Sequence, residues 1–155
     1  MTTTISGSTG VNQITDDAIT AAKLPAGSVL QVVQALDTGN FSTTSTTYVD
    51  TNLSATITPT STSSKILVLV SQTGFTSSSQ NTYWNVVRGT TVVTEAKSQS
   101  NTSGYKFAGN FINYLDSPST TSAVTYKTQV NTTASTIYMQ WGTGSSTITL
   151  MEIAG

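Results

Sequence analysis

The sequence predicts an all-β fold: a jelly-roll-like antiparallel β-sandwich preceded by a short N-terminal arm and a roughly two-turn helix. Three observations predict it. After Gly27 the chain is dominated by Val, Ile, Tyr, Thr and Trp, which alternate with polar residues in short runs at the period of a strand. Clusters of Gly, Pro, Asn and Ser break these runs at regular spacing, which sets about eight to ten strands. No helical pattern separates the runs, so the helical crossovers that a parallel α/β sheet needs are not expected.

The chain divides at about residue 26 into an anchoring segment, 1–26, and a head domain, 27–155. Thr15 followed by Asp16 and Asp17 makes a helix start, because a hydroxyl caps free N–H groups and carboxylates favour the positive end of the dipole. Pro25 and Gly27 stop that helix after about two turns, too short for stability in water without partners. Val11, Ile14, Ala18 and Ala21 follow three- and four-residue spacing and form its apolar stripe. Val11, Ile14, Ala18, Ile19 and Leu24 are the expected anchoring and trimerisation residues. No heptad repeat is sustained, which excludes a long coiled coil.

In the head domain, Val29–Val33 reads as the first strand. Leu53, Ala55 and Ile57 alternate with Ser and Thr until Pro59 ends the run. Lys65–Val70 is apolar on both faces, which predicts a central strand covered on both sides. Tyr83–Val87 and Thr91–Val93 flank Arg88-Gly89-Thr90 and read as a hairpin. Phe107, Gly109, Phe111, Asn113 and Leu115 fall on one side of a further long strand, broken by Asp116-Ser117-Pro118-Ser119. Val124–Val130 alternates next. Ile137, Met139 and Trp141 follow, and Ile148, Leu150 and Glu152 share one face of the last strand. The expected core is Leu53, Ile57, Ile66, Val68, Val70, Trp84, Val86, Phe111, Leu115, Tyr126, Trp141 and Leu150. The Ser/Thr-rich stretches 42–47, 61–64 and 76–82 read as exposed loops or edge strands.

Composition removes most chemistry. The 155 residues include no His and no Cys, so imidazole bases, thiolates and Cys/His zinc sites are excluded as the basis of a site. No catalytic residue, cofactor or metal is expected. Charged residues are 8% of the chain, about a third of the usual share, while Ser and Thr number 55. The formal charge is −1, and Lys23, Lys65, Arg88, Lys97, Lys106 and Lys127 are scattered singly. Nucleic-acid binding needs clustered cations, and a membrane-surface role needs a basic amphipathic helix, so neither partner is expected. Met1–Ile5 has no basic or apolar signal-peptide pattern. A surface so weakly charged repels its own copies little and suits an assembly.

The segment Asp16-Asp17-Ala18-Ile19-Thr20-Ala21-Ala22-Lys23-Leu24-Pro25-Ala26-Gly27-Ser28-Val29 resembles a unit of tailed-phage fibre proteins, of the form D-x-A-I-T-x-A-K-L-x-x-G-x-V. Tyr48–Leu53, Thr56–Pro59, Ser64–Val68, Leu115–Pro118, Val124–Lys127 and Ile148–Ile153 follow in the order seen in the small β-sandwich heads of such fibres. The resemblance covers most of the chain. It implies a non-enzymatic virion structural protein on the particle surface, a homotrimeric short fibre or spike for host attachment. Residues 1–26 would then join other virion structural proteins. The long shaft and adaptor of typical fibres are not part of the pattern, so a capsid decoration protein is the alternative, and a polysaccharide depolymerase a remote one.

A depolymerase needs two carboxylates facing across a cleft. Asp37, Asp50 and Asp116 read as turn residues and Asp16 and Asp17 as helix caps; Glu95 and Glu152 have no reason to meet. The aromatics offer more. Tyr48, Phe75, Tyr83, Trp84, Tyr105, Phe107, Tyr114 and Tyr138 exceed what one core takes up. Those near polar loops suit stacking on a host cell-surface glycan. Tyr83 and Tyr105 are the expected receptor contacts.

Overall fold

The computed structural model describes residues 23–100, 104, 106–107 and 109–155. The expected helix up to Ala22, with Val11, Ile14, Ala18 and Ile19, lies outside the described residues, as does Tyr105. Among the described residues there is no helical element, and the strands are β1 (Val29–Asp37), β2 (Phe41–Thr43), β3 (Val49–Ile57), β4 (Lys65–Gln72), β5 (Gly74–Thr76), β6 (Gln80–Arg88), β7 (Thr91–Ser100), β8 (Lys106–Phe107), β9 (Asn110–Asp116), β10 (Val124–Thr132), β11 (Ile137–Met139) and β12 (Ser146–Ile153). They form three antiparallel sheets of four strands each, ordered β1-β12-β4-β9, β3-β10-β6-β7 and β2-β11-β5-β8.

The third sheet repeats the order of the first. β2, β11, β5 and β8 are the chain neighbours of β1, β12, β4 and β9. The four long strands of the first sheet therefore all break at one level and continue as the small sheet. At the break, a side-chain bond and a backbone bond outside the ladder tie the strands together. Thr73 N donates to Ser146 Oγ at 3.0 Å, and Thr73 O accepts from Gln140 N at 3.3 Å. Gly74 is required there, because a Cβ would stand 2.8 Å from Tyr138 O.

One core lies between the first two sheets. Ile66, Val68, Val70, Ile112, Ile148 and Leu150 from the first meet Leu53, Ala55, Ile57, Trp84, Val86, Tyr126 and Val130 from the second, with Ile137 and Met139 from the small sheet. Each fully buried aliphatic side chain contributes about 1.5–3 kcal/mol. The small-sheet end is polar instead. Thr51, Gln72, Thr76, Gln80, Thr82, Thr128, Thr132, Gln140 and Ser146 are all buried. Gln72 Nε2 donates to Thr51 Oγ1 at 2.8 Å, Thr132 Oγ1 to Gln80 Oε1 at 2.7 Å, and Gln140 Nε2 to Ser146 Oγ at 2.6 Å.

Two carboxylates close the apolar end. Glu152 is fully buried; its Oε1 accepts from Thr60 N and Thr60 Oγ1, each at 2.7 Å, and its Oε2 accepts from Gln31 Nε2 at 2.6 Å. Burial pushes the Glu152 carboxyl up, but the bonds from Gln31 and Thr60 outweigh it and leave the group below the ordinary carboxylate value. Asp116 Oδ2 accepts from Arg88 Nε at 2.6 Å and from Tyr126 OH at 2.7 Å. Burial, and then the Asp116 carboxylate, push the Tyr126 phenol well up, so it stays a donor.

Several expectations need correction. Asp50 and Asp116 lie in strands β3 and β9, not turns. The long strand expected through Phe107–Leu115 is two strands, and in β9 the inward residues are Ile112 and Asp116. Phe111 and Leu115, expected in the core, are 72% and 46% exposed, because Asp116 must turn inward to meet Arg88 and Tyr126. Trp141 is 54% exposed beyond the end of β11. Stretches 61–64 and 76–82 are not purely exposed: Ser64, Thr76, Gln80 and Thr82 are buried. β4 is central, but the outward Leu67 and Leu69 are only half-buried.

Two predictions follow from the carboxylates. Tyr126→Phe should cost about 1–3 kcal/mol in urea unfolding, because the buried carboxylate loses a donor. The folded-state value of Glu152 is depressed, so its stabilisation is fully present above the unfolded value of about 4.3 and lost as pH falls through the folded value. The Tm of Glu152→Gln should therefore decline less between pH 5 and pH 2 than that of the wild type, an acid limb measurable by calorimetry.

Candidate functional site

Among the described residues, four carboxylates, Asp37, Asp50, Asp116 and Glu152, are engaged in hydrogen bonds or ion pairs. Asp37 Oδ1 accepts from Gly39 N at 2.9 Å in a local turn. Asp50 Oδ2 pairs with Lys127 Nζ at 2.6 Å and Oδ1 accepts from Gln129 Nε2 at 2.8 Å, which hold its carboxyl below the usual range. Glu95 sits on β7 in one sheet and Glu152 on β12 in another. Among the described residues no three metal-ligating side chains gather.

Of the expected receptor contacts, Tyr83 lies on β6, half-buried on the outer face of the second sheet. Lys97 Nζ stands over its ring, 5.5 Å from the centroid, a structural cation–π contact. Leu24, expected as an anchor, lines a shallow pocket with Leu30, Thr60, Ser64 and Ala154. There the chain is tied to its own C-terminal end, Gly27 N donating to Ala154 O and Ala154 N to Ser28 O, each at 2.8 Å.

At the opposite end, the small sheet gathers aromatic rings. Tyr138 faces Phe75 across the β11–β5 ladder, and Phe75 faces Phe107 across β5–β8. Three adjacent strands thus place three rings in one row, outward, since their neighbours Ile137, Met139, Gly74 and Thr76 are buried. Phe75 and Tyr138 stack at 5.0 Å with an interplanar angle of 20°. Trp141 meets both edge-on, 5.1 Å and 74° from Tyr138, 6.4 Å and 88° from Phe75.

Local backbone explains why Trp141 is outside. Gln140 adopts φ 48°, with its side chain buried and bonded to Ser146. That left-handed residue turns the chain out of β11, and Gly142 at φ 71° turns it back. Phe107 is 67% exposed and folds over Gly109, where a Cβ would strike its ring and Gln72 O. Hydroxyls border the rings: Ser42 is opposite Tyr138, and Ser77 Oγ bonds Ser135 Oγ at 2.8 Å. A ring cluster with hydroxyl neighbours can pack on the C–H face of a sugar while bonding its hydroxyls. The sequence names Phe75, Phe107 and Tyr138 as surplus aromatics but contains no signal for the register that aligns them.

β1 starts beside Leu24 and ends at β2 in the small sheet. Nine residues at about 3.3 Å each put the ring cluster about 30 Å from where the leading segment joins the domain. Compared with known proteins, the chain matches no protein-family model and no curated protein.

Proposed function

We propose that the chain is the receptor-binding head of a trimeric virion fibre, a non-enzymatic structural protein that attaches a phage to a glycan on its host. The observation that carries this reading is the surface ring cluster, in which the exposed Trp141 and Phe107 flank the half-buried Phe75 and Tyr138. Its position supports an adhesive tip: the fibre-like leading segment joins one end of the domain and the rings cap the other. An uncharged ring surface suits neutral sugar, whose recognition needs stacking and hydroxyl bonds, not ion pairs.

The strand order supports a jelly roll. With each broken strand counted once (β1 with β2, β4 with β5, β8 with β9, β11 with β12), the sheets run first-eighth-third-sixth and second-seventh-fourth-fifth. That is the order of two Greek keys rolled together, an architecture used in viral and lectin domains.

The test is binding to an array of bacterial surface polysaccharides, followed by titration of the positive sample. Trp141→Ala and Phe107→Ala should each weaken binding about tenfold or more, equivalent to about 1.4 kcal/mol. Tyr83→Ala, away from the cluster, should leave it unchanged. No binding at micromolar protein, or equal binding by all variants, contradicts the reading.

A further inference from the structure

The two outer faces of the paired sheets differ in kind. On the β3-β10-β6-β7 sheet the outward positions include Asp50, Lys127, Glu95 and Lys97, with Asn52, Thr56 and Gln129 among them. On the β1-β12-β4-β9 sheet the outward residues of β1 are Val29, Val32, Gln34 and Leu36, and those of β9 are Phe111, Asn113 and Leu115. Between these edges lie Leu67, Leu69, Met151 and Ile153 with Ser71, Thr147 and Thr149. Among the described residues, the one charged group on this face is Lys65, at its rim.

Five of the large apolar residues left exposed lie here: Val29 52%, Val32 53%, Leu36 63%, Phe111 72% and Leu115 46%. They form two ridges on opposite edges, β1 and β9. Beside Phe111 a hollow opens, floored by Leu69 and bordered by Asn113, Ser71, Thr147 and Thr149. A ridge on one edge and a hollow near the other make a head-to-tail pair, the kind of contact that closes a ring of copies.

Charge fits a second copy of the same chain, and the face is wide enough to offer one edge to each of two neighbours. A face without charges, apart from its rim, can meet its own kind with no ion to desolvate and no like-charge clash. Four strands about 4.8 Å apart and about eight residues long give roughly 500 Å² in projection, more once side chains are counted, an area that each copy in a closed ring divides between two neighbours. We infer that this outer face is where copies of the chain meet, the β1 ridge of one copy seating Leu36 and Val32 against Phe111 and Leu69 of the next. The inference rests on the trimeric reading above and assigns it a surface.

Sedimentation equilibrium of the full chain over a hundredfold dilution tests it. The wild type should weigh about three times 16.2 kDa. Phe111→Lys and Leu36→Lys should each reduce it to a single copy that retains the wild-type β-sheet circular dichroism, while Thr56→Lys on the other sheet stays trimeric. Both positions are exposed in the single copy, so each variant can fold. A wild type that is monomeric throughout, or a trimer that survives both variants, overturns the inference. So does a monomeric wild type that Phe111→Lys unfolds, which would give the face to the chain's own leading segment. Polysaccharide binding is read separately: an intact trimer that binds none, or binds equally well as Trp141→Ala, defeats the glycan reading and leaves this surface standing.

Discussion

The fold depends on hydrogen bonds inside it. With 36% hydrophobic residues, the chain has too few apolar side chains to fill the space between two four-stranded sheets. Thr and Gln complete the interior, tied in pairs: Thr51 with Gln72, Gln80 with Thr132, Gln140 with Ser146, while the amide oxygens of Gln72 and Gln140 are buried without a protein donor. A buried hydroxyl or amide without a partner costs about 1–3 kcal/mol, so this half of the core fixes its own geometry more strictly than an oily one would.

That strictness has a consequence at the surface. Ser146 Oγ receives both the Thr73 amide and the Gln140 side chain at the level where four strands break. The break gives the small sheet its own orientation, and the buried Gln140 turns the chain so that Trp141 lands on Tyr138 and Phe75. The ring cluster is thus held by strands and a tight turn, which suits a surface that must meet a ligand without ordering itself first.

Much of the strand pattern was legible in the sequence. Alternation locates β3, β10 and β12, the apolar run Lys65–Val70 locates β4, and Arg88-Gly89-Thr90 locates the β6–β7 hairpin. Nine of the twelve expected core residues are buried. The three that are not share one cause: hydrophobicity alone does not set which side of a strand faces inward. In β9 an inward Asp116 and Ile112 put Phe111 and Leu115 outside, and a partner for Asp116 on another sheet cannot be seen from local pattern. The converse error hid Thr76, Gln80 and Thr82 in a stretch read as surface, because a Thr that bonds across a core looks like one that bonds water. The ring cluster is legible in kind, as surplus aromatics near hydroxyls, but its members are not: local pattern points to Tyr83, which the fold sets beneath Lys97 on the second sheet. Cross-strand register chose Tyr138, Phe75 and Phe107, and a residue with positive φ chose Trp141.

The two tryptophans give the most direct measurement. Trp84 is 1% exposed in the core and Trp141 is 54% exposed in the ring cluster. Protein labelled with 5-fluorotryptophan carries one fluorine reporter at each. On titration with a polysaccharide that the protein retains, the Trp141 resonance should shift progressively while Trp84 stays in place. A bound polysaccharide that leaves Trp141 unmoved would contradict the account, since sugar would then be held somewhere other than the rings.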